Sequence, residues 1–505
     1  MRQFYPEEVK RAKLQRGADL KKIRIFGLLL GIYSLLALGT SAFGGEKLQV
    51  IPPEPEQMAA LRKVMNAKVD SMSARMIEMT DWMYYHPESG FLEFKASEML
   101  TGELKKHGFE VEINVPNLPA NIDKMKIIGG LTKDYQGPSG LPTAFKAKYK
   151  GKSESPVIAF LLEYDALRGN PPFHGCQHNV QGPAGVGAAI ALAKVMEENN
   201  IPGSVWVVGT PAEEVGPPSK ALMAEAGFFN GIDFIIRNHG TYNWTEREAG
   251  GFACCCGSIR QLKYTFTGKS AHASRPWQGA SALDAVLQTF NGMNMLRQLS
   301  EPQFRFMGVI TDGGVAPNVI PEMASATIWI RYFIDDIPSA LTPRVSPKKA
   351  QEMIDAKVEQ LNNIARGAAL ATGTKVEIDL YGKYVPGISV GAFNDLGFQY
   401  AIEYGGIDVR PKAIPPDAGG WDETGMASKL VPGVQVKVGV EGGCTEKTPG
   451  HSMENANITI TEQGHKGMIL IGKVMAATGL RLVIDAKVRQ KVKAEFEMWK
   501  QRYNE

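Results

Sequence analysis

Short apolar runs alternate with helical patterns between residues 156 and 240, and each apolar run ends in polar residues. The runs Val157–Leu162, 204–208 and 233–236 have the length of strands, and the stretches 180–196 and 219–227 between them have helical patterns. Such an alternation predicts a largely parallel sheet with helices on both faces. Because ligands bind beyond the carboxyl ends of the strands in these sheets, the polar residues that follow each run are the first candidates for a functional site.

These polar residues have the side-chain chemistry of a metal site. Cys176 and His178 follow the first run, Glu213 and Glu214 follow the second, and His239 follows the third. A hydrolytic metal site needs N, S and O ligands, an open position for water, and a carboxylate that takes the proton from that water. The two adjacent glutamates can fill both carboxylate roles, as a ligand and as a base.

The pattern changes after residue 256. Strand, helix, strand, strand, helix and strand follow one another between residues 257 and 380, which predicts a ferredoxin-like inserted domain. The fold class we expect is therefore α/β: a mixed, largely parallel sheet with helices on both faces, plus an inserted α+β lid and dimerisation domain. The predicted catalytic domain has two parts, 55–255 and 382–485, around an insert at 256–381, and a charged helix at 486–505 ends the chain.

The first 45 residues differ from the rest. A basic stretch up to residue 24 precedes an uncharged, mostly apolar run from 25 to 43, and small residues around Ala42 suit a signal peptidase. This pattern predicts a removed signal peptide, with an uncleaved membrane anchor as the alternative. We therefore expect the protein to be exported, periplasmic or secreted, or else anchored by this segment, which would be its only contact with a membrane.

The net charge and the cysteine content argue against two classes of protein, nucleic-acid binders and disulfide scaffolds. The net charge is only +3 and no basic helix with interleaved aromatics is present, which argues against a nucleic-acid partner. Five cysteines without regular spacing argue against a disulfide scaffold. The run Cys254, Cys255 and Cys256 is interpreted as part of a short buried strand, because neighbouring side chains on a strand point to opposite faces.

Eight short motifs in order, across about residues 60 to 480, resemble one family. The chain resembles the dimetal amidohydrolase and carboxypeptidase superfamily, which includes carboxypeptidase G, hippurate hydrolase and auxin-conjugate amidohydrolases, and most closely the aminobenzoyl-glutamate hydrolase B-subunit type. The motifs are Glu-Tyr-Asp165-Ala-Leu, His-Gly-Cys176-Gln-His178-Asn, Thr-Pro-Ala-Glu213-Glu214, Asn-His239-Gly, Gly268-Lys-Ser-Ala-His272-Ala, Ala316-Pro-Asn318-Val-Ile-Pro, Trp329-Ile-Arg331 and Gly450-His451.

The resemblance implies a role for each site residue. It implies a pair of divalent ions, zinc or manganese, a small-molecule N-acyl amino acid or peptide as substrate, and a homodimer formed through the insert. Glu213 is the implied general base, and Asp165 a carboxylate beside the ligands. His272 and Asn318 are implied to act on substrate, His272 across the dimer, and Arg331 to bind a substrate carboxylate. The implied metal ligands are Cys176, His178, Glu214, His239 and His451.

The chain also departs from the family pattern. Gln177 stands where relatives have glycine between the two ligands, Arg168 stands where they have proline, and an acidic loop at Asp422 has no assigned role. Two other functions stay open at this point: a hydrolase with Cys176 as nucleophile, and an exported binding protein that kept the fold without turnover.

Overall fold

The computed structural model describes residues 52–114, 141–215, 218–239, 257–333, 347–388, 390–405, 424–438 and 450–504. The predicted N-terminal segment, the run Cys254–256 and the acidic residue Asp422 lie outside these ranges. The helices are α1 Glu56–Ser71, α2 Ser73–Tyr85, α3 Phe94–Lys106, α4 His178–Glu198, α5 Ser219–Glu225, α6 Ala282–Gln298, α7 Pro347–Thr372, α8 Gly391–Gly405, α9 Gly425–Ser428, α10 Met453–Ile458, α11 Glu462–Ile484 and α12 Ala486–Asn504. The strands are β1 Glu110–Ile113, β2 Phe145–Lys150, β3 Val157–Leu162, β4 Ser204–Gly209, β5 Phe234–Asn238, β6 Gly257–Thr267, β7 Ala271–His272, β8 Phe304–Asp312, β9 Val319–Ile320, β10 Met323–Phe333, β11 Lys375–Tyr384 and β12 Gly433–Val436.

The first sheet carries the candidate site. Its strand order is β1-β2-β4-β3-β5-β12, in which β4, β3, β5 and β12 are parallel and β2 pairs antiparallel with both β1 and β4. Every residue of β3 is buried, as the uninterrupted apolar sequence of this strand predicts. The expected mixed, largely parallel sheet is therefore confirmed.

Helix α4 begins at the candidate ligand His178 and runs through the core. Its small residues let neighbouring side chains approach its backbone. A Cβ added at Gly185 would lie 2.0 Å from Leu162 of β3, and one at Gly187 would lie 2.6 Å from the Met76 sulfur of α2. The Ala- and Gly-rich composition of α4 thus allows the close packing that fixes the position of His178 against the sheet.

The second sheet belongs to the insert. Its strand order is β11-β6-β10-β8, and all its neighbours are antiparallel. Helices α6 and α7 cover one face, where Leu262, Tyr264, Ile328 and Ile330 join the apolar core. This is the β-α-β-β-α-β order that the sequence predicts.

Helix α11 has the length and hydropathy of a membrane span, the one such helix in the described ranges. However, 78% of its apolar window is buried within the protein. It packs against α4, α8 and α1, as a core helix does.

Candidate metal centre

The turn that leads into α4 places Cys176 and His178 side by side and is hydrogen-bonded to the segment that carries a third candidate ligand, His451. Gln177 has a left-handed φ of 65°, which lets the chain turn sharply between Cys176 and His178. The Gln177 side-chain amide donates to the Asn455 backbone oxygen at 3.1 Å. The Gly175 carbonyl accepts from the Asn455 amide at 2.7 Å and from the His451 backbone N–H at 3.2 Å. The C-terminal segment with His451 is therefore fastened to the loop that carries Cys176.

The imidazole of His178 is fully buried and has a fixed orientation. Its Nδ1 lies 2.9 Å from Asp165 Oδ1, while its Nε2 lies 3.6 Å from Glu163 Oε2, 3.9 Å from Glu213 Oε2 and 4.0 Å from Glu214 Oε1. Burial opposes the charged form of His178, but the Asp165 hydrogen bond and the surrounding carboxylates outweigh it and raise its pKa to about 10. A group held in this way through Nδ1 leaves Nε2 directed toward the carboxylates.

The Glu213–Glu214 pair follows a constrained turn after β4. Ala212 has a positive φ of 58°, and its N–H donates to Glu93 Oε1 at 2.7 Å. Asp165 Oδ2 accepts from the Glu214 N–H at 2.9 Å, so one carboxylate orients both His178 and the glutamate turn. Both glutamate side chains are almost buried, at 9% exposure for Glu213 and 6% for Glu214.

Potential ligand atoms form overlapping groups in which all atoms lie within 4.8 Å of one another. Cys176 belongs to one group with His178 and His239 and to another with Glu214 and His451. Its Sγ lies 3.4 Å from His239 Nε2. A third group joins His178, Glu213 and Glu214. The structure therefore brings together the five residues that the resemblance implies as ligands, and Glu213 lies among them.

A buried ionic cluster lies beneath these ligands at the end of β3. Glu163 Oε1 accepts from Lys220 Nζ at 2.7 Å and from Arg237 at 3.1 Å, and Oε2 accepts from the Gln181 amide at 2.6 Å. Burial favours a neutral Glu163, but the two cations outweigh burial and lower its pKa well below the usual range. Glu163 is thus a fixed negative charge beside His178.

The electrostatics of the centre fit bound cations. Burial and the Glu214 and Glu213 charges raise the pKa of the Cys176 thiol, and burial, Glu214 and Glu163 raise that of Glu213. Burial raises the pKa of Glu214 to about 7. The buried atoms His178 Nε2 and Glu214 Oε1 have no hydrogen-bond partner in the described chain. A divalent cation would satisfy these two atoms and offset the repulsion among the thiolate and carboxylates.

His272 and Asn318 lie in the inserted domain and not among the candidate ligands. His272 is exposed on β7, and its Nδ1 accepts from the Ser274 N–H at 3.1 Å. Asn318 is also exposed, and its carbonyl accepts from Ala273 N at 3.0 Å. Within the described part of one chain, neither residue hydrogen-bonds to a candidate ligand.

Arg331 of β10 is different, because it lies within electrostatic range of the centre. Burial lowers the pKa of its guanidinium, and the Tyr384 and Glu213 charges act in the opposite direction. Burial lowers the pKa of His451, and the His178 and Arg331 charges act in the same direction. The inserted sheet therefore presents a cation to the centre.

Sequence reasoning missed several supporting residues. Glu93, which holds Ala212, is separated from it by more than a hundred residues and has no recognisable motif. Lys220 and Arg237 occur in an apolar helix and an apolar strand, where their burial could be foreseen only with Glu163 as a partner. The sequence indicated Lys220 and Arg237 only through Glu163, a charged residue directly after a fully apolar run, which needs a cation if it is buried.

Comparison with known proteins identifies the insert. Residues 258–365 match the family model described as a peptidase dimerisation domain. The match covers strands β6, β8 and β10 of the second sheet, helix α6 and the first part of α7, and it ends before β11. The match lies within the predicted insert, residues 256–381.

Curated relatives match over longer stretches. The chain is 29% identical over 374 residues to the Xaa-Arg dipeptidase of Mus musculus, covering 71% of this chain and 78% of the relative. It is 32% identical over 340 residues to the B subunit of the p-aminobenzoyl-glutamate hydrolase of Escherichia coli K12, covering 63% and 60%. By name, the first relative is a dipeptidase and the second is a subunit of a hydrolase.

Solved structures share the fold. An aminobenzoyl-glutamate utilization protein from Klebsiella pneumoniae aligns with a TM-score of 0.58 and 17% identity, covering 83% of this chain and 98% of that one. The Bacillus subtilis YXEP protein, titled a dinuclear metal binding peptidase from the M20 family, aligns with a TM-score of 0.50 and 19% identity, covering 82% and 99%. The chain therefore shares its fold with these two proteins.

Proposed function

We propose that this chain, a metal-dependent hydrolase related to the M20 peptidases and amidohydrolases, cleaves the amide bond of an N-acyl amino acid or a small peptide and releases a free amino acid. The observation that carries the proposal is the convergence of Cys176, His178, Glu214 and His451 around Glu213 at the carboxyl edge of the sheet. The curated relatives are named for substrates with an arginine or a glutamate residue, so the proposal includes both kinds of amide.

Two divalent ions, zinc or manganese, are the cofactor we propose. Cys176, His178 and His239 would hold one ion, and Cys176, Glu214 and His451 the other. When bound, such ions supply a Lewis acid that polarises the amide carbonyl and lowers the pKa of water. Asp165 keeps the His178 ring oriented through Nδ1, and this contact fixes which ring nitrogen is available as a ligand.

Glu213 is the proposed general base. Its carboxylate lies beside the ligands, 3.9 Å from His178 Nε2, and is shielded from solvent. Burial and the Glu214 charge raise its pKa, which suits a group that accepts a proton from water and then donates it to the leaving nitrogen. Arg331 would bind the substrate carboxylate and so place the amide bond near Glu213.

A homodimer through the insert is also part of the proposal. Strand β8 is an edge of the second sheet, and Met307, Val309 and Ile310 on it are 37%, 62% and 43% exposed. On helix α6 of the same domain, Met295 is 68% exposed, and Leu299 at its end is 83% exposed. An open edge strand beside exposed apolar side chains suits pairing with a second copy. In such a dimer His272 and Asn318 would act on the substrate of the partner subunit.

We keep export as a proposal that rests on residues 1–45. The basic and then apolar sequence of this segment suits a signal peptide or an anchor. N-terminal sequencing of the protein, with fractionation of the producing cells, tests it. A new N-terminus near residue 45, or an intact chain in the membrane fraction, supports export, and an intact chain in the soluble cytoplasmic fraction contradicts it.

The proposed chemistry can be tested with metal content and turnover together. The protein is loaded with zinc or manganese and assayed with N-acyl amino acids and dipeptides, before and after chelation. We expect about two metal equivalents, hydrolysis that chelation abolishes, and recovery when metal is restored. Turnover that resists chelation and depends on Cys176 would favour the cysteine nucleophile, whereas metal binding without any turnover would favour the binding protein.

A further inference from the structure

The short helix α10, which follows His451, is hydrogen-bonded to the loop that carries two other candidate ligands. The Gln177 side-chain amide donates to the Asn455 backbone oxygen at 3.1 Å and to Asn455 Oδ1 at 2.9 Å. The Asn455 amide in turn donates to the Gly175 carbonyl at 2.7 Å. Gln177 and Asn455 are only 1% and 4% exposed, so water does not compete for these contacts. The two amides thus form a buried bridge between the ligand loop and α10.

His451 is connected to the ligand loop through its backbone and through α10. Its N–H donates to the Gly175 carbonyl at 3.2 Å, the same oxygen that accepts from the Asn455 amide. Its side chain is 60% exposed, so burial does little to fix the imidazole. Ser452, the next residue, caps α10 by accepting from the Asn455 N–H at 3.1 Å. The position of His451 therefore depends on where Asn455 is held.

The two ligand groups that share Cys176 differ in their dependence on α10. One, the His239 group, consists of Cys176, His178 and His239, and the other, the His451 group, consists of Cys176, Glu214 and His451. In the His239 group, the His178 imidazole is fully buried and its Nδ1 lies 2.9 Å from Asp165 Oδ1. His239 directly follows β5 of the first sheet. The His451 group, by contrast, takes a ligand from the segment that leads into α10.

The backbone turn at Gln177 can form without its side chain. Its N–H donates to the His174 carbonyl at 3.0 Å, and its carbonyl accepts from the Val180 N–H at 3.0 Å. Its left-handed φ of 65° is one that glycine adopts more readily than glutamine. The side-chain Oε1 has no hydrogen-bond partner in the described chain, so the contacts to Asn455 are those that the amide makes there. A substitution at 177 can therefore remove the bridge while the turn before α4 remains.

We propose that Gln177 is a positioning residue for the ion of the His451 group. Through Asn455 it holds His451 in place, so loss of its amide weakens the binding of that ion and leaves the ion of the His239 group at its wild-type affinity. The inference rests on the pair of metal ions in the proposed function. It adds a difference between them, because one position is set by the sheet and the other by the buried bridge.

Zinc occupancy as a function of free zinc tests the proposal. The metal-free full chain, as wild type, Gln177→Gly and Gln177→Met, is dialysed against chelator-buffered zinc, and bound metal is measured by elemental analysis. Glycine removes the side chain at a φ that suits it, and methionine keeps the length of the side chain but not the amide. In both variants we expect the first equivalent to bind as in the wild type. The second should need about a ten- to hundredfold higher free zinc concentration, as for loss of a residue that orients a ligand.

Asn200→Gly is the matched control. Asn200 also has a left-handed φ, of 53°, but it is exposed and lies beyond the opposite end of α4. Its substitution should leave both zinc equivalents unchanged. Wild-type occupancy in either Gln177 variant, or an equal weakening of both equivalents, would overturn the proposal.

Asn455→Ala, alone and together with Gln177→Met, tests the route through Asn455. Each single variant should weaken the second zinc equivalent. The double variant should weaken it by less than the product of the two single effects, because both residues take part in one bridge. Effects that multiply would mean that the two side chains act independently, which contradicts the proposed route.

Hydrogen exchange separates this inference from the reaction and from the metal pair. In the metal-free protein, the backbone amides of residues 451–458 should exchange faster in Gln177→Gly than in the wild type, because the bridge that holds α10 is lost. Equal rates would refute the proposal. A wild type that binds fewer than two zinc ions would contradict the proposed metal pair, and the exchange rates would then decide whether Gln177 holds His451. Two bound ions without hydrolysis of any N-acyl amino acid or dipeptide would count only against the proposed reaction.

Discussion

The metal centre and the His272 region of the insert differ in how their candidate residues are held in place. At the centre, His178 is fully buried, and Asp165 contacts both its imidazole and the Glu214 backbone. In the insert, His272 is exposed, and within the described chain its ring is hydrogen-bonded only to Ser274, two residues further on. One region is organised by contacts from distant parts of the chain, and the other by its local turn.

The difference indicates what each region needs in order to function. The centre is preorganised within one chain, since the candidate ligand atoms of each group already lie within 4.8 Å of one another. His272 has no such support among the described residues, so its proposed role depends on a surface that a second copy provides. A substitution at the centre should therefore abolish the activity of the subunit that carries it. A substitution at His272 should instead abolish the activity of the partner subunit, and a partner chain with an intact His272 should restore activity.

The largest effect is expected from the two adjacent glutamates. Glu213→Gln removes the proposed base and should lower kcat by about a hundred- to ten-thousandfold while bound metal remains near two equivalents. Glu214→Gln removes a proposed ligand and should lose metal as well as activity. Elemental analysis beside turnover distinguishes the two variants. If Glu213→Gln loses metal as Glu214→Gln does, the assignment of Glu213 as a base outside the ligand set is wrong.

The next largest effect concerns His272. His272→Ala should lower kcat by about a hundred- to a thousandfold, as for loss of one oxyanion donor, without changing the melting temperature, because the side chain is exposed. His86→Ala, another exposed histidine, is the control and should be fully active.

Mixed dimers show whether His272 acts across the interface. When His272→Ala and Glu213→Gln chains are unfolded and refolded together, half of the dimers should contain both, and each such dimer should have one intact site. Activity should then return to about a quarter of the wild-type level. If the mixture stays as inactive as its two components, His272 does not act in the partner subunit.

A smaller effect is expected at Asp165. Asp165→Asn keeps the size of the side chain but loses the charge that orients His178, and metal affinity should fall about ten- to a hundredfold. Asp81→Asn is the matched control, since Asp81 also pairs with a histidine, His465, at 2.8 Å on a different part of the molecule. Competition with a chromogenic chelator measures both affinities. Equal affinities in the two variants would contradict the orienting role.

The sequence predicted the sheet and the candidate ligands but not the interactions that support them. Apolar runs such as β3 end in polar residues, so both the strand and the edge with Asp165 and Cys176 could be inferred from local pattern. The left-handed turn at Gln177 was not foreseen, because a long side chain with positive φ is stabilised here by Asn455, nearly three hundred residues away. Contacts over such distances leave no periodic signal.

The smallest effect concerns Glu93, which holds the turn before the Glu213–Glu214 pair and has no proposed role in the reaction. This buried carboxyl accepts hydrogen bonds from Ala212 N and the Thr143 hydroxyl, and burial, together with the Asp165 charge, raises its pKa to about 8. A raised pKa in the folded state means that the stability it contributes is complete below the unfolded pKa and is lost as pH rises through about 8. The wild type should therefore lose stability relative to Glu93→Gln between about pH 5 and pH 8.

Melting temperatures of wild type and Glu93→Gln, measured with metal at pH 5, 6, 7 and 8, check this. The melting temperature of the variant should rise relative to that of the wild type at each step in pH, because glutamine stays neutral throughout. Glu103→Gln is the control of opposite kind: burial opposes the charged form of Glu103, but Arg75 and Lys106 outweigh it and lower its pKa. Its difference from wild type should stay constant over this range and change only in more acidic solution. A constant difference for Glu93→Gln as well would mean that Glu93 is charged in the folded protein and holds the Ala212 turn as a carboxylate.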